Sequence, residues 1–206
     1  MTLTIDGKPA AVQGSVLDAV LALDIHLPHL CKDDNLPAIG ACRTCLVEAD
    51  GRILAACSVP ASSVTIVSTT SDRAVRIRRG VLELTAGMHI DPVAANGGPQ
   101  RHHTREVLAR AEADTARYPT RTEAHVDESN PFFAFHEEAC ILCGRCTTAC
   151  QQLQHISAIG MAGHGASTRV TPGAGVSFLE SVCTSCGSCV AACPTAALRP
   201  KRGGHQ

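Results

Sequence analysis

Aromatic residues are scarce in this sequence: no Trp, one Tyr and four Phe among 206 residues. Little aromatic bulk is available to fill a core, so small residues and bound inorganic groups must take up part of that space. Long apolar runs are also missing. Without a stretch of about 18 apolar residues, a transmembrane helix is excluded. The opening Met1-Thr-Leu-Thr-Ile-Asp-Gly-Lys has no basic segment leading into an apolar one, so no export signal is read there. Neither sign of charge dominates, with 18 Lys and Arg against 19 Asp and Glu. That balance points to neither nucleic acid nor an anionic membrane. The basic run Arg73, Arg76, Arg78 and Arg79 reads as a solvated helix face. A Gly-x-Gly-x-x-Gly followed by an acidic residue is absent, as is a Walker motif, so no nicotinamide, flavin or catalytic pocket is argued and no catalytic residue is named.

Cysteine, by contrast, is abundant, with 12 in the chain. Many cysteines without an export signal indicate a reducing cytoplasm and metal-bound thiolates rather than disulfides.

The expected fold class is α+β in two modules with a connector. Residues 1–71 read as a β-grasp unit. Leu3 to Val12 forms a hairpin turning at Asp6-Gly7, and Ser15 caps a short helix carrying Val16, Leu17, Val20 and Leu21. Strands follow over Cys45 to Ala49 and Arg52 to Ala56, joined by Asp50-Gly51, then over Val64 to Val67. Residues 72–131 read as a helical connector. Its helix over 72–90 has Val75, Ile77, Val81, Leu82, Leu84 and Met88 as the apolar set, and a second helix is expected over 104–117. Residues 132–200 carry two cysteine runs separated by a Gly-rich loop from His164 to Gly175, and 201–206 is expected to be a disordered tail.

The two runs are a diverged internal repeat. Cys140-x2-Cys143-x2-Cys146-x3-Cys150 recurs as Cys183-x2-Cys186-x2-Cys189-x3-Cys193-Pro194. This is the two-cluster bacterial ferredoxin pattern, in which the fourth cysteine of each run ligates the other cluster. Cys140, Cys143, Cys146 and Cys193 are therefore expected to hold one [4Fe–4S] cluster. Cys150, Cys183, Cys186 and Cys189 are expected to hold the second. Gly144 and Gly187 would let backbone N–H groups approach the sulfurs. Zinc sites usually use separated Cys-x2-Cys pairs, which fits these runs poorly.

The N-terminal set is Cys31-x10-Cys42-x2-Cys45-x11-Cys57. Four thiolates suit a [2Fe–2S] rhomb, and Gly40 permits close backbone approach, yet spacing alone also allows a structural zinc.

A resemblance sharpens this reading. Leu27-Pro-His-Leu-Cys31, Gly40-Ala-Cys42-Arg-Thr-Cys45-Leu-Val-Glu48 and Ala56-Cys57 resemble the N-terminal ferredoxin domain of one iron–sulfur family. That family comprises the large iron–sulfur subunit of respiratory complex I, the diaphorase iron–sulfur subunit of NAD-reducing [NiFe] hydrogenases, the N-terminal region of NAD-dependent formate dehydrogenases and the accessory domain of [FeFe] hydrogenases. Cys140-Ile-Leu-Cys-Gly-Arg-Cys146 and Val182-Cys-Thr-Ser-Cys-Gly-Ser-Cys-Val-Ala-Ala-Cys-Pro194 resemble its two-cluster part. The resemblance implies one [2Fe–2S] cluster on Cys31, Cys42, Cys45 and Cys57 rather than zinc. It also implies a cytoplasmic electron-relay subunit of an NAD-linked oxidoreductase. One partner would be a flavin- and NAD-binding diaphorase subunit; the other would be a hydrogenase, or a molybdenum or tungsten formate dehydrogenase, catalytic subunit. The alternative is a free diffusible ferredoxin-type carrier. A redox-sensing regulator has no helix-turn-helix to support it.

One departure stands out. The family carries a further [4Fe–4S] site with a His-x3-Cys-x2-Cys-x5-Cys pattern. Here His89 is present, but Val93, Asn96 and His102 occupy the cysteine positions. The resemblance implies that this cluster is lost; for His89, His102 and His103 the rival readings are a histidine-bound metal and a solvated loop, of which the loop is favoured. His89→Ala is therefore predicted to leave cluster content unchanged. EPR of the reduced protein checks this, and loss of a signal would show that His89 serves a redox centre.

Overall fold

The computed structural model describes residues 2–88, 101–119, 125–173, 175–195 and 197–201. Two Asp-Gly turns organise the N-terminal sheet. Asp6 and Asp50 adopt φ of 48° and 47°, the left-handed conformation that tight two-residue hairpin turns demand. The first joins β1 (Leu3–Ile5) to β2 (Lys8–Ala10), and the second joins β3 (Leu46–Ala49) to β4 (Arg52–Ala55). Both carboxylates then capture the strand between the hairpins, β5 (Ile66–Ser68), and the residue after it. Asp50 Oδ1 accepts from the Ile66 N–H at 2.9 Å and Asp6 Oδ1 from the Thr69 N–H at 2.8 Å. β5 pairs parallel with β1 and antiparallel with β3, giving the order β2-β1-β5-β3-β4. The strand expected over 64–67 thus starts two residues later and ends one residue later, where these carboxylates fix it.

Helix α1 (Val16–Ala22) begins at Ser15, as its sequence predicts. The cap is reciprocal: the Asp18 N–H donates to Ser15 Oγ at 3.2 Å, and the Ser15 N–H donates to Asp18 Oδ2 at 2.8 Å. That backbone hydrogen bond holds the Asp18 carboxyl below its usual range. The helix buries Val16, Leu17 and Val20 against Leu3, Ile5, Val47 and Val67, completing the β-grasp core.

Helix α2 (Asp72–Met88) docks on this unit through Arg78, which donates to the Leu46 and Thr69 carbonyls, each at 2.7 Å. Arg78 is thus not part of a solvated face, whereas Arg73, Arg76 and Arg79 are at least partly exposed. The inward face also departs from expectation. Of the six apolar residues expected inside, only Leu82 is buried and Leu84 is 46% exposed, while Ala74, Glu83, Thr85, Ala86 and Gly87 are buried. The cause is a close approach by the chain at 111–119. A Cβ on Gly87 would lie 3.2 Å from Tyr118 Cβ, and Arg117 reaches the buried Glu83 carboxylate at 2.7 Å. At Gly87 the approach of Tyr118 and the Pro119 carbonyl leaves little room for a side chain. Helix α3 (Arg101–Arg110) starts and stops earlier than the expected 104–117, and Glu112 beyond it takes a φ of 50°. It brings Val107 against Leu82. His89, Val93 and Asn96 lie outside the described residues, as do the side chains of His102 and His103.

The C-terminal unit pairs β6 (Val126–Asp127), β7 (Phe133–His136) and β10 (Leu198–Pro200) in the order β10-β7-β6. Helices α4 (Arg145–Gln152) and α5 (Ser188–Ala192) pack together beside them. Part of the Gly-rich segment expected to be a loop is instead one arm of a hairpin, β8 (Gly160–Ala162) with β9 (Arg169–Thr171). Phe178 packs edge-on to Phe133 and Phe135 with ring centroids 5.2 and 6.1 Å apart, and its N–H donates to Asp127 Oδ2 at 2.8 Å. Lys201, expected in the tail, is hydrogen-bonded to the Phe132 carbonyl at 2.8 Å; 202–206 lies outside the described residues.

Leu82 sits in an apolar cluster with Leu30, Val107 and Ile141, residues from both units and the connector. Leu82→Ala should therefore cost about 2–5 kcal/mol and lower the thermal unfolding midpoint clearly. Leu84→Ala, at the exposed position, should shift it little. Equal shifts for the two variants would contradict the inward face described here.

Candidate iron–sulfur sites

The N-terminal thiols are gathered by the loop between α1 and β3 and by the turn after β4. Cys31, Cys45 and Cys57 are buried, and Cys42 is half-buried. The Cys31 N–H donates to Cys42 Sγ at 3.3 Å, and buried Thr44 places its hydroxyl 3.1 Å from the same sulfur. Thr44 Oγ1 also accepts from the Leu30 N–H at 3.2 Å, tying the two arms of the loop together. Arg43, between two of the cysteines, takes a φ of 56°, which turns the chain so that both neighbours face inward.

These thiols are close enough to share protons. Contact with Cys31, then burial, pushes the Cys42 thiol well up. Contact with Cys57 holds Cys45 below its usual value. Cys57 is pulled down by Cys31, but Cys45 and burial outweigh that and leave it at about 11. Four thiolates cannot ionise together here without a cationic partner.

The eight remaining cysteines line two cavities, and each cavity takes members of both runs. One is walled by Cys140, Cys143, Cys146 and Cys193, the other by Cys150, Cys183, Cys186 and Cys189. Their empty volumes are about 320 and 300 Å³ respectively, including space continuous with solvent. The last residue of each run crosses because α4 and α5 lie side by side: Cys150 sits in α4, and Cys193 follows α5.

The two runs repeat each other in backbone detail. Leu142 and Ser185 take φ of 53° and 60°, and their N–H groups donate to Cys140 Sγ and Cys183 Sγ, both at 3.4 Å. The Ala158 and Leu198 N–H groups donate to Cys150 Sγ and Cys193 Sγ at 3.2 and 3.5 Å. Gly144 and Gly187, expected to let N–H groups approach the sulfurs, take φ of 79° just before the first residues of α4 and α5, a left-handed turn that glycine allows without strain, and the Arg145 and Ser188 N–H groups that follow act on the Cys143 and Cys186 sulfurs. Leu142 and Ser185, two residues after the first cysteine of each run, add sulfur contacts that spacing does not mark.

Burial dominates the chemistry of these thiols. It pushes Cys143 and Cys146 well up, and it raises Cys189 to about 12 with help from the Cys183, Cys186 and Cys150 charges. Cys186 is exposed; there burial is outweighed by hydrogen bonds from Ser188, and the thiol lies below its usual value. Among the described residues no group of three or more His, Cys, Asp or Glu is set to hold a single metal ion. The fit therefore rests on the donor sets: all three are all-thiol and backed by N–H donors to sulfur, and the two C-terminal ones are ringed around space. Such sets suit iron–sulfur clusters.

Sequence reasoning missed Thr44, Asp33 and Arg145. Arg145 Nη2 donates to the Lys32 carbonyl and lies 3.4 Å from Asp33 Oδ2, so the first cysteine run of the C-terminal unit is clasped to the loop that follows Cys31. Its only signal was a charge inside a ligand spacer.

Comparison with known proteins agrees with this geometry. Residues 1–72 match the 2Fe-2S iron-sulfur cluster binding domain family, and residues 139–197 match the 4Fe-4S dicluster domain family. An NADH-quinone oxidoreductase polypeptide of Escherichia coli K12 is 31% identical over 156 residues, which is 70% of this chain and 17% of that protein. A formate dehydrogenase candidate of Staphylococcus haemolyticus is 28% identical over 160 residues, 75% of this chain and 16% of that protein. The chain thus matches only about one sixth of the length of these curated relatives. A chain in the crystal structure of an NAD+-reducing [NiFe]-hydrogenase in the H2-reduced state superposes with a TM-score of 0.80 at 27% identity, covering 100% of this chain and 89% of that one.

The crossing makes a sharp prediction. Cys193→Ser should alter the centre whose other residues are Cys140, Cys143 and Cys146, although Cys193 belongs to the other run. EPR of the reduced variant reads which signal changes. An effect confined to the Cys183, Cys186 and Cys189 centre would refute the crossing.

Proposed function

Since residues 1–72 are a 2Fe-2S iron-sulfur cluster binding domain and residues 139–197 a 4Fe-4S dicluster domain, we propose that the chain is an electron relay with three centres in a row. Cys31, Cys42, Cys45 and Cys57 hold one [2Fe–2S] cluster. Cys140, Cys143, Cys146 and Cys193 hold one [4Fe–4S] cluster, and Cys150, Cys183, Cys186 and Cys189 hold the other. The units are taken as 1–71, 72–131 and 132–200. When bound, such clusters supply one-electron donor and acceptor sites.

The observation that carries this reading is the graded burial of the three cysteine sets. All four cysteines of the middle set are buried, while each outer set reaches towards the surface, through half-buried Cys42 in one and exposed Cys186 in the other. A buried site between two accessible ones serves passage through the molecule. The outer set on Cys42 and the middle set are in one apolar cluster, where Cys31, Cys42, Cys143 and Ile141 pack with Leu30, Leu82 and Val107. Those apolar side chains exclude water between the two sites. The middle and far sets share the α4–α5 contact, since α4 supplies Cys146 to one cavity and Cys150 to the other, while α5 supplies Cys189 to the far one and leads into Cys193 of the middle one.

By relationship to oxidoreductases named for NADH, formate and NAD+-reducing hydrogenase chemistry, the donor or acceptor at one end is a flavin- and NAD(H)-binding subunit. At the other end stands a hydrogenase or formate dehydrogenase catalytic subunit, the assembly working in the cytoplasm. Among the described residues no helix is long and apolar enough to cross a membrane. A relay subunit should co-purify with such partners at fixed stoichiometry; a chain isolated alone, in redox exchange with many proteins, would favour a diffusible carrier. The anaerobically reconstituted protein should contain about 10 iron and about 10 acid-labile sulfide per chain. Iron near about 14 would mean a fourth centre, and stoichiometric zinc would overturn the assignment.

A further inference from the structure

Arg145 occupies the spacer Cys143-Gly-Arg-Cys146 and opens α4. A charged residue there would ordinarily project into water, yet its side chain is only 14% exposed. The guanidinium touches two cysteine-bearing segments, and the residue acts on a third through its backbone and charge. Nη2 donates to the carbonyl of Lys32, the residue after Cys31. Nη1 reaches the carbonyl of Ala192, the residue before Cys193, at 3.5 Å. The Arg145 backbone N–H and its charge both act on the Cys143 thiol. Its Nε–H is buried and has no hydrogen-bond partner among the described residues. Nearby packing keeps the group in place: Leu36 of the N-terminal loop lies against Ala149 and Ala192, and a Cβ on Gly144 would meet Ile39 Cδ1 at 3.1 Å.

We propose that Arg145 is a positioning residue of the relay. It fixes a permanent positive charge at the junction of the N-terminal and middle sites, and it raises the reduction potential of the centre on Cys140, Cys143, Cys146 and Cys193. The proposal rests on the ligation given above. A guanidinium keeps its proton at any working pH, so the charge is constant. Reduction adds one negative charge to a centre, and a fixed cation close by in a poorly hydrated setting favours that state. Asp33, 3.4 Å from Nη2 and itself partly buried, offsets part of the charge. The pair therefore sets the level of the middle centre between two opposing groups from one loop and one helix. The orphaned Nε–H is suited to a sulfur acceptor on that centre, which adds to the same effect.

A purely structural role, holding the two units together, makes a different prediction from a charge-setting one. The test is an EPR-monitored redox titration of the iron-loaded full chain carrying Arg145→Gln, Arg145→Lys or Asp33→Asn. The wave of the middle centre is identified by its alteration in Cys193→Ser. Arg145→Gln should lower that midpoint, Arg145→Lys should retain most of it, and Asp33→Asn should raise it. The Cys150, Cys183, Cys186 and Cys189 centre should move least. An unmoved midpoint in Arg145→Gln with iron content intact overturns the proposal, as does a fall in Arg145→Lys equal to that in Arg145→Gln. If Arg145→Gln loads no iron, Asp33→Asn decides: absence of a rise overturns it. Low iron in the unsubstituted protein would instead signal failure of the ligation on which the proposal rests.

Discussion

Twelve thiols brought into three tight groups, eleven of them partly or wholly out of water, are an electrostatic problem before they are a binding site. Burial penalises the thiolate, and each ionised sulfur penalises the next. Cys143 and Cys146 lie far above their usual range because of it, and Cys42 is forced up by its neighbour Cys31. Iron centres resolve that conflict by supplying the missing positive charge, so metal binding and folding are coupled. The protein's own contribution is partial: N–H groups of Cys31, Leu142, Ala158, Ser185 and Leu198 point at sulfurs, and Thr44 adds a hydroxyl. The rest of the architecture follows from the need to aim these donors, since nearly all lie in loops pinned by short elements.

That origin explains which parts were legible in the sequence. The hairpins at Asp6-Gly7 and Asp50-Gly51 and the Ser15 cap are local chemistry, and local chemistry decides them. The spacing also sorts the C-terminal cysteines, and the two cavities are lined in the same sets, Cys193 with the first run and Cys150 with the second. The buried face of α2 was not legible, because Glu83, Thr85 and Gly87 face inward only where Arg117 and Tyr118 return to meet them. Periodicity sees the helix and not what arrives against it. Strands β8 and β9 were masked by the glycines between them, which mark a turn as readily as a loop.

The junction between the units was the least readable feature. Leu30, Ile39 and Ile141 stand in the sequence as spacers among the cysteines, yet they form an apolar seam with Leu82 and Val107. The connector is thus part of the core rather than a tether. Its helices place one leucine and one valine where the two ferredoxin-like units would otherwise leave a water-filled gap. Arg145 completes the seam at its polar edge, through the Lys32 carbonyl and Asp33.

The exchange of Cys150 and Cys193 has a consequence for how the chain is made. Synthesis runs from the N-terminus, and domains generally fold as they emerge. The first sheet lacks its middle strand until Ser68 exists, by which time all four of its cysteines have been made. The far cavity then waits for Cys189 and the middle cavity for Cys193, although Cys140, Cys143 and Cys146 are finished 47 or more residues earlier. On the ribosome those three thiols form an incomplete wall throughout that interval. The middle cavity is therefore the last to be closed, and a nascent chain ending between residues 189 and 193 would carry every cysteine of the other two sets while that cavity still lacked part of its wall.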